Sequence, residues 1–229
     1  MASAPETDAV PPEGGLVTAV EVQKNDPTRV SIFLDGAFAF GVSAEIAVRE
    51  RLRPGRTLTA DEQNRILAQE DLSAARTKAL DYLSRRARTE WEVRKKLLDS
   101  GFATEAVNSV VSRLTELGYI DDANYAGRFA AARLERRYGP RRIFQELRRR
   151  GISPEVAEGA ITSARSESDV REQALTLARQ RWARLRSETD SRKRRKKIYD
   201  HLVRRGFESD LAWSVVNTLS DDESDQTTS

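Results

Sequence analysis

The sequence predicts a mainly α-helical protein in which three tandem three-helix repeats form an elongated array, preceded by a small α+β module with a three-stranded antiparallel meander. Two observations predict this class. A hexapeptide with a Leu four residues before a Gly, and a bulky apolar residue after it, occurs three times, with glycines at 101, 151 and 206. Upstream of the repeats, apolar and polar residues alternate with the period of a β-strand. The repetition favours several small stacked cores over one large core.

The α+β module is assigned to residues 15–70. Three runs of alternating apolar residues predict its strands: Val17, Ala19 and Val22, then Val30, Ile32 and Leu34, then Phe38, Phe40 and Val42. Asp35-Gly36 is a tight-turn signal between the second and third runs. Ser43 is expected to cap a helix that ends near Leu52, and the capping box Thr59–Glu62 opens a further helix toward Leu67.

Both ends of the chain have the composition of segments without a fixed structure. Residues 1–14 are rich in Pro, Ala and acids, and residues 220–229 form a polar acidic tail. Too few apolar residues are present in either segment to offset the entropy of ordering the chain. We therefore expect disorder in both segments. The charge pattern also allows the weaker interpretation that the acidic tail competes with phosphate for the basic repeats.

The three repeats are assigned to residues 71–121, 122–166 and 167–219. In each, the residues eight and four positions before the glycine are apolar and share one helical face: Val93 and Leu97, Ile143 and Leu147, Ile198 and Leu202. The glycine suits the left-handed position just past a helix end. Apolar residues 5, 9, 10 and 13 positions after it predict a second helix, and a third helix precedes each pair.

Several residue patterns mark where the repeat helices begin. Thr89–Glu92 is a capping box, and Gly139-Pro140 ends one helix and opens the next. Either Asp121 or Asp122 is expected to cap the first helix of the second repeat. Ser153, followed by proline, is expected to cap its third helix.

The charge distribution is uneven along the chain. Overall the 229 residues carry a formal charge of +3. Residues 1–70 hold 7 Lys or Arg against 11 Asp or Glu, and residues 220–229 hold 4 acids and no base, whereas residues 71–219 hold 32 bases against 21 acids. The repeats therefore form a basic body between two acidic ends. Such a surface favours an anionic partner, most often nucleic acid or a nucleoprotein.

The residues that catalysis usually requires are scarce. The chain has no Cys and a single histidine, His201, in a helical segment, so neither a site built from several His and Cys ligands nor a thiol nucleophile is predicted. No Gly-rich loop follows a strand, and no run of apolar residues reaches the length of a membrane span. We therefore expect a protein that is not an enzyme, binds no metal or cofactor, and does not enter a membrane.

The basic clusters are the strongest functional signal. Several occupy equivalent positions, since Arg149-Arg150 and Arg204-Arg205 directly precede the glycines of repeats two and three, where repeat one has Asp99-Ser100. Arginine is favoured where phosphate or carboxylate is held by two parallel hydrogen bonds. A solvated polar face is the alternative interpretation of any single cluster. The candidate binding residues are Arg141, Arg142, Arg149, Arg150, Arg194, Arg195, Lys196, Lys197, Arg204 and Arg205.

Five segments together resemble the RecX family of bacterial recombination regulators. They begin at Ala79, Arg88, Leu117, Tyr138 and Leu202, and read ALDYL, RTEWEV, LGYIDDANYA, YGPRRIFQEL and LVRRGF. The resemblance covers about residues 75–219. The module with the Asp35-Gly36 hairpin is similar to an additional amino-terminal piece of some family members.

The resemblance implies a cytoplasmic, non-enzymatic modulator of the RecA recombinase. Family members are elongated arrays of three-helix units that bind in the helical groove of the RecA–DNA filament. They restrain filament growth, and with it ATP hydrolysis, strand exchange and repressor cleavage. By this resemblance the expected partners are the RecA filament and, weakly, single- or double-stranded DNA, and we expect a monomer. A helical DNA-binding module or transcription regulator is the alternative that the residues leave open.

Overall fold

A computed structural model describes residues 13–165 and 167–227. The disorder expected for residues 1–14 falls mainly outside these residues. The chain forms two compact units. The first consists of the chain up to Tyr82 together with Lys96–Arg113, and the second consists of Leu83–Lys95 together with the chain from Leu114 onwards. The predicted class is confirmed, since an antiparallel sheet precedes three consecutive groups of helices.

The amino-terminal module is a four-stranded antiparallel sheet with the strand order β3-β2-β1-β4. Its strands are β1 (Gly15–Gln23), β2 (Asp26–Leu34), β3 (Ala37–Ser43) and β4 (Thr57–Leu58). The meander and its hairpin are confirmed, with positive φ angles of 48° at Asp35 and 85° at Gly36. Strand β4 was not predicted, because its two residues are too few for an alternating pattern to be recognised. They pair with Gly15 and Leu16.

Two helices complete the module, α1 (Ala44–Arg49) and the amino-terminal part of α2 (Ala60–Ser84). Ser43 caps α1 as predicted, but the helix ends at Arg49 rather than near Leu52. The physical reason is that Arg51 takes a left-handed φ of 52°, which turns the chain so that Leu52 enters the core. Ile32, Ile46 and Ile66 lie in that core and are at most 1% exposed.

The long helix α2 differs from the prediction of separate helices on either side of residue 70. It runs without interruption because no Gly or Pro stands between Ala60 and Ser84. Thr59 and Glu62 form the expected reciprocal capping box. Further along α2, the buried Glu70 carboxylate accepts hydrogen bonds from the Arg29 guanidinium at 2.6 Å and from the Ser43 amide at 2.8 Å. These bonds attach α2 to strands β2 and β3.

The remaining helices supply the repeats. They are α3 (Glu90–Leu98), α4 (Thr104–Glu116), α5 (Asp122–Glu135), α6 (Pro140–Arg148), α7 (Pro154–Ser163), α8 (Glu167–Arg184), α9 (Ser191–Arg205) and α10 (Ser209–Thr227). The carboxy-terminal part of α2 with α3 and α4 forms repeat one, α5–α7 repeat two, and α8–α10 repeat three. The sequence predicts a disordered tail from residue 220, but helix α10 continues to Thr227. It does so because no Gly or Pro interrupts it.

The predicted helix starts are confirmed in detail. Thr89 and Glu92 exchange capping hydrogen bonds of 3.2 Å, and Ser153 caps α7. Of the two aspartates considered for α5, Asp121 is the cap, accepting from the Asn124 amide at 2.8 Å. Asp122 instead accepts from the amide of Glu90 at 2.9 Å, and so joins the start of α5 to the start of α3.

The apolar stripe before each glycine is confirmed, and so are positions 9, 10 and 13 of the stripe after it, all of which are buried or partly buried, but its first position is off by one residue. All six residues eight and four positions before the glycines are fully buried. After the glycine, the fully buried position is the sixth, occupied by Val107, Ala157 and Ala212, rather than the predicted fifth. The fifth position holds Val156 and Leu211 in repeats two and three, and both are only partly buried.

Candidate interface for an anionic partner

The start of α6 lies directly against the end of α9. The Gly139 amide donates to the carbonyl oxygen of Arg205 at 2.8 Å, and the Arg141 amide donates to that of Gly206 at 3.1 Å. A Cβ atom on Gly139 would stand 2.2 Å from the carbonyl carbon of Gly206, so a side chain at position 139 requires the two backbones to separate. Two glycines therefore permit a backbone-to-backbone junction between repeats two and three.

The start of α3 meets the end of α6 in an equivalent way. The Thr89 hydroxyl donates to the carbonyl oxygen of Arg150 at 2.7 Å. The Cβ of Trp91 lies 2.2 Å from the position that a Cβ on Gly151 would occupy. The capping residue of one repeat thus also satisfies the last turn of the corresponding helix in the next repeat.

A cleft of about 400 Å³ opens at the junction between α6 and α9. Four of the ten candidate binding residues line it, namely Arg141, Arg142, Arg149 and Arg204, together with Gln145, Glu146, Val203 and Gly206. We call this the junction cleft. Arg141 and Arg142 come from the first turn of α6, Arg149 from its end, and Arg204 from the last turn of α9. The fold therefore gathers arginines from both helices around one concave surface.

The single carboxylate in the junction cleft is already matched by two arginines. Glu146 accepts from Arg133 at 2.9 Å and from Arg142 at 3.0 Å. Burial raises the pKa of Glu146, but the hydrogen bond from Arg142 and the charges of Arg133 and Arg142 outweigh it, so the pKa lies below its ordinary value. Arg141, Arg149 and Arg204 are exposed. The cleft therefore retains a positive charge that an anion can neutralise.

The structure separates the two members of each arginine pair. Arg149 and Arg204 line the junction cleft, whereas Arg150 and Arg205 bind within the protein. Arg150 donates to the carbonyl oxygen of Glu146 at 2.7 Å, and its guanidinium carbon lies 4.6 Å from the centre of the Phe129 ring.

Arg205 has a matching internal role at the next junction. It donates to the carbonyl oxygen of Arg136 at 3.2 Å and lies 5.2 Å from the centre of the Tyr138 ring. Arg142 contacts the same ring, with its guanidinium carbon 4.3 Å from the ring centre. Contacts of this kind stabilise the fold by about 0.5–2 kcal/mol each. The structure therefore gives Arg150 and Arg205 a role in packing, whatever they add to binding.

The basic segment at the start of α9 is not part of the junction cleft. Arg194 donates to the carbonyl oxygen of Trp182 at 3.2 Å, and its guanidinium carbon lies 4.0 Å from the ring centre. Lys197 forms an ion pair with Glu188. Arg195 and Lys196 are exposed, and neither lines the cleft. Six of the ten candidates are thus placed elsewhere, three of them, Arg150, Arg194 and Arg205, in stabilising contacts with aromatic rings.

The surroundings of His201 on α9 lower its pKa. Burial is the largest cause that lowers its pKa below the ordinary value of 6.5, and the charges of Arg205, Arg181 and Arg204 add to it. Arg133, Glu146 and Tyr138 are not recognisable from the sequence, because their roles depend on contacts between helices that no local pattern records.

Two further properties concern the described part of the chain as a whole. No helix in it combines the length and apolarity that a membrane span requires. Within the same residues, no three His, Cys, Asp or Glu side chains cluster closely enough to hold a metal ion.

Comparisons with known proteins match four segments of the chain to models of one family. The model of the regulatory protein RecX N-terminal domain matches residues 15–59, and those of the first, second and third RecX three-helix domains match residues 75–114, 121–161 and 167–216. Regulatory protein RecX of Clostridium botulinum (strain Alaska E43 / Type E3) is 32% identical over 87% of this chain and 94% of its own length. That of Bacillus licheniformis is 34% identical over 85% and 74%, respectively. A crystal structure of regulatory protein RecX superimposes with a TM-score of 0.68 at 29% identity, covering 88% of this chain and 98% of the other.

Proposed function

Because the chain belongs to the RecX family, we propose that it binds the RecA–DNA filament and restrains RecA activity in recombination and DNA repair. The activities affected are ATP hydrolysis, strand exchange and the coprotease function. The protein acts by binding, carries out no chemistry of its own, and works as a monomer in the cytoplasm, where the filament forms.

The observation that carries the proposal is the junction cleft within an array of family repeats. Its exposed arginines lie on the ends of two helices that are attached to each other through backbone hydrogen bonds. Arginines held in this way lose less freedom when they bind an anion than arginines on a mobile segment. A nucleoprotein filament offers both phosphates and acidic side chains to such a surface.

The proposal is tested by adding the protein to RecA filaments on single-stranded DNA and following ATP hydrolysis. We expect the rate of hydrolysis to fall as the protein is titrated to one copy per RecA monomer or less, and the protein to sediment with the filament. Unchanged hydrolysis together with absence from the sedimented filament would contradict the proposal.

Two matched double variants locate the contact. Arg149→Gln with Arg204→Gln removes two charges from the junction cleft, and Arg195→Gln with Lys196→Gln removes two from the exposed face of α9. We expect the cleft variant to need at least about tenfold more protein for half-maximal inhibition, since hydrogen bonds to charged groups contribute about 1.5–3 kcal/mol. The α9 variant should resemble the unchanged chain. Equal losses in both variants would show a non-specific charge effect instead.

The alternative, a DNA-binding module that regulates transcription, predicts a different result. A strong preference for one duplex sequence over unrelated duplexes, with no effect on RecA, would favour it. Salt dependence alone does not distinguish the two, because contacts to phosphates occur in both.

A further inference from the structure

A second arginine cluster lies at the end of α1 and in the loop that joins α1 to β4 in the amino-terminal module. Arg49, Arg51, Arg53 and Arg56 line a concavity of about 710 Å³. These residues are not among the candidates that the sequence predicts, because residues 1–70 carry an excess of acids. That average conceals a local excess of bases, since five of the seven Lys and Arg residues of this segment lie between positions 49 and 65. We call residues 49–56 the arginine loop.

Backbone hydrogen bonds hold the arginine loop at both ends. The Leu52 amide donates to the carbonyl oxygen of Ala47 at 2.8 Å, and the Leu52 side chain is only 7% exposed. At the other end, the Gly55 amide donates to the carbonyl oxygen of Val17 at 2.9 Å, and the Val17 amide donates to that of Arg56 at 2.8 Å. The loop is therefore attached to the core, and the residues on either side of Leu52 are exposed.

Arg51 occupies a backbone conformation that its side chain disfavours. Its φ is 52°, and the left-handed region costs a residue with a Cβ about 1–2 kcal/mol relative to the right-handed region. Glycine or asparagine would adopt it with less strain. Strained backbone of this kind is found more often at functional sites than elsewhere.

The carboxylates near the loop are each matched by an arginine. Glu50 pairs with Arg65 at 3.7 Å, and Glu62 pairs with Arg56 at 3.1 Å. The hydrogen bond from the Thr59 amide, followed by that from Arg56, lowers the pKa of Glu62, which remains charged at neutral pH.

The arginines at positions 49, 51 and 53 differ in the partners they have. Arg49 binds the side-chain oxygen of Gln69 at 2.9 Å and lies 3.8 Å from Glu45. Arg51 and Arg53 are exposed and have no side-chain partner among the residues that the structure describes. The uncompensated charge of the loop is therefore at these two positions.

We propose that the arginine loop binds the phosphodiester backbone of nucleic acid through Arg51 and Arg53. Guanidinium groups match phosphate oxygens through two parallel hydrogen bonds. A protein partner would need an apolar or aromatic anchor at the centre of its interface, and no aromatic or large aliphatic side chain lines this concavity. The site goes beyond the proposed regulation of RecA, which requires no DNA contact from the amino-terminal module.

The test is binding of a fluorescent oligo-dT strand to the full chain without RecA, at several salt concentrations. The double variant Arg51→Gly with Arg53→Gln removes both charges, and the glycine relieves the left-handed strain, so its thermal unfolding temperature should not fall. We expect at least about tenfold weaker binding. The log–log dependence of affinity on salt should become shallower by about 1.4, because each contact to a single strand contributes about 0.7.

The matched control is Lys24→Gln with Arg76→Gln, which removes two exposed charges outside the loop. Its affinity and salt dependence should stay close to those of the unchanged chain. The proposal is overturned if the loop variant binds like the control, or if the unchanged chain fails to bind oligo-dT at low salt. It is also overturned if the loop variant keeps its DNA affinity but sediments less with RecA filaments, since the loop would then contact protein. Because RecA is absent from the binding assay, its result is independent of the ATP hydrolysis experiment.

Discussion

Gly101 and Gly206 occupy the same position of their repeats and the same backbone conformation, but only Gly206 is enclosed. Their φ angles are 87° and 91°. A Cβ on Gly206 would meet the Cβ of Arg142 at 2.3 Å, whereas one on Gly101 would meet no atom of a non-neighbouring described residue within 4 Å. The left-handed turn ends a helix in both repeats, and at Gly206 it also admits the start of α6. The glycine at this position of the repeat thus meets two separate requirements: a left-handed backbone in both repeats, and room for a neighbouring helix at Gly206 alone.

The residues directly before the two glycines also differ in whether they bond within their own helix or to another part of the chain. At the first, the Ser100 hydroxyl donates back to the carbonyl oxygen of Lys96 in its own helix at 2.9 Å. At the other, Arg205 reaches the carbonyl oxygen of Arg136, which lies beyond the end of α5. The comparison shows that one arginine of this pair maintains the junction, while Arg204 is available to the junction cleft.

The largest expected effect comes from alanine at the enclosed glycine. Gly206→Ala combines left-handed strain of about 1–2 kcal/mol with a steric contact of about 1–3 kcal/mol, so the free energy of unfolding should fall by about 3 kcal/mol. Gly101→Ala carries the strain alone and should cost about 1–2 kcal/mol. Urea unfolding followed by circular dichroism measures both. Equal losses would show that contact with α6 adds nothing to the requirement for glycine.

A second comparison uses the two capping boxes. Thr89→Ala removes the helix cap and also leaves the carbonyl oxygen of Arg150 without its 2.7 Å partner, so we expect a loss of about 2 kcal/mol. Thr59→Ala removes a cap of the same type at an exposed position and should cost about 1 kcal/mol. The same unfolding measurement applies. A loss at Thr89 no larger than that at Thr59 would contradict a stabilising bond between repeats.

The smallest expected effect concerns pH. The folded-state pKa of His201 lies below 6.5, so the unfolded chain binds a proton more readily, and stability should decline as pH falls through this value. His201→Gln should lose less stability than the unchanged chain between about pH 7.5 and 5.5. The melting temperatures of both proteins at the two pH values provide the measurement. An identical pH dependence in the two proteins would contradict a contribution of His201 to this loss of stability.

Much of the helical architecture could be predicted because its determinants are local. Thr89 with Glu92, Asp121 and Ser153 cap helices through bonds that span three residues, and the left-handed glycines follow from the absence of a Cβ. Burial of residues such as Ile143 and Leu147 follows from helical periodicity. These features depend on residues that stand within about two helical turns of one another.

The candidate site could be predicted only in part. The sequence identified Arg149 and Arg150 as a pair, but their roles differ because Arg150 contacts the Phe129 ring whereas Arg149 lines the junction cleft. It did not identify the arginine loop either, since the acids of the same module mask that cluster in any average over the segment. Both outcomes depend on neighbours that are distant in the sequence.

By itself, the sequence determined that this protein is built from three helical repeats with a glycine turn in each, a strand-rich start and a basic body. Only the tertiary structure decided that Gly139 and Gly206 meet backbone to backbone and that the negative charge of Glu146 is compensated by arginines. It also decided that Arg141, Arg149 and Arg204 remain available around one cleft. The physical reason is the range of the interactions. Caps, turns and amphipathic faces arise between residues close in sequence, whereas the charge left over for a partner depends on which distant groups the fold has already paired.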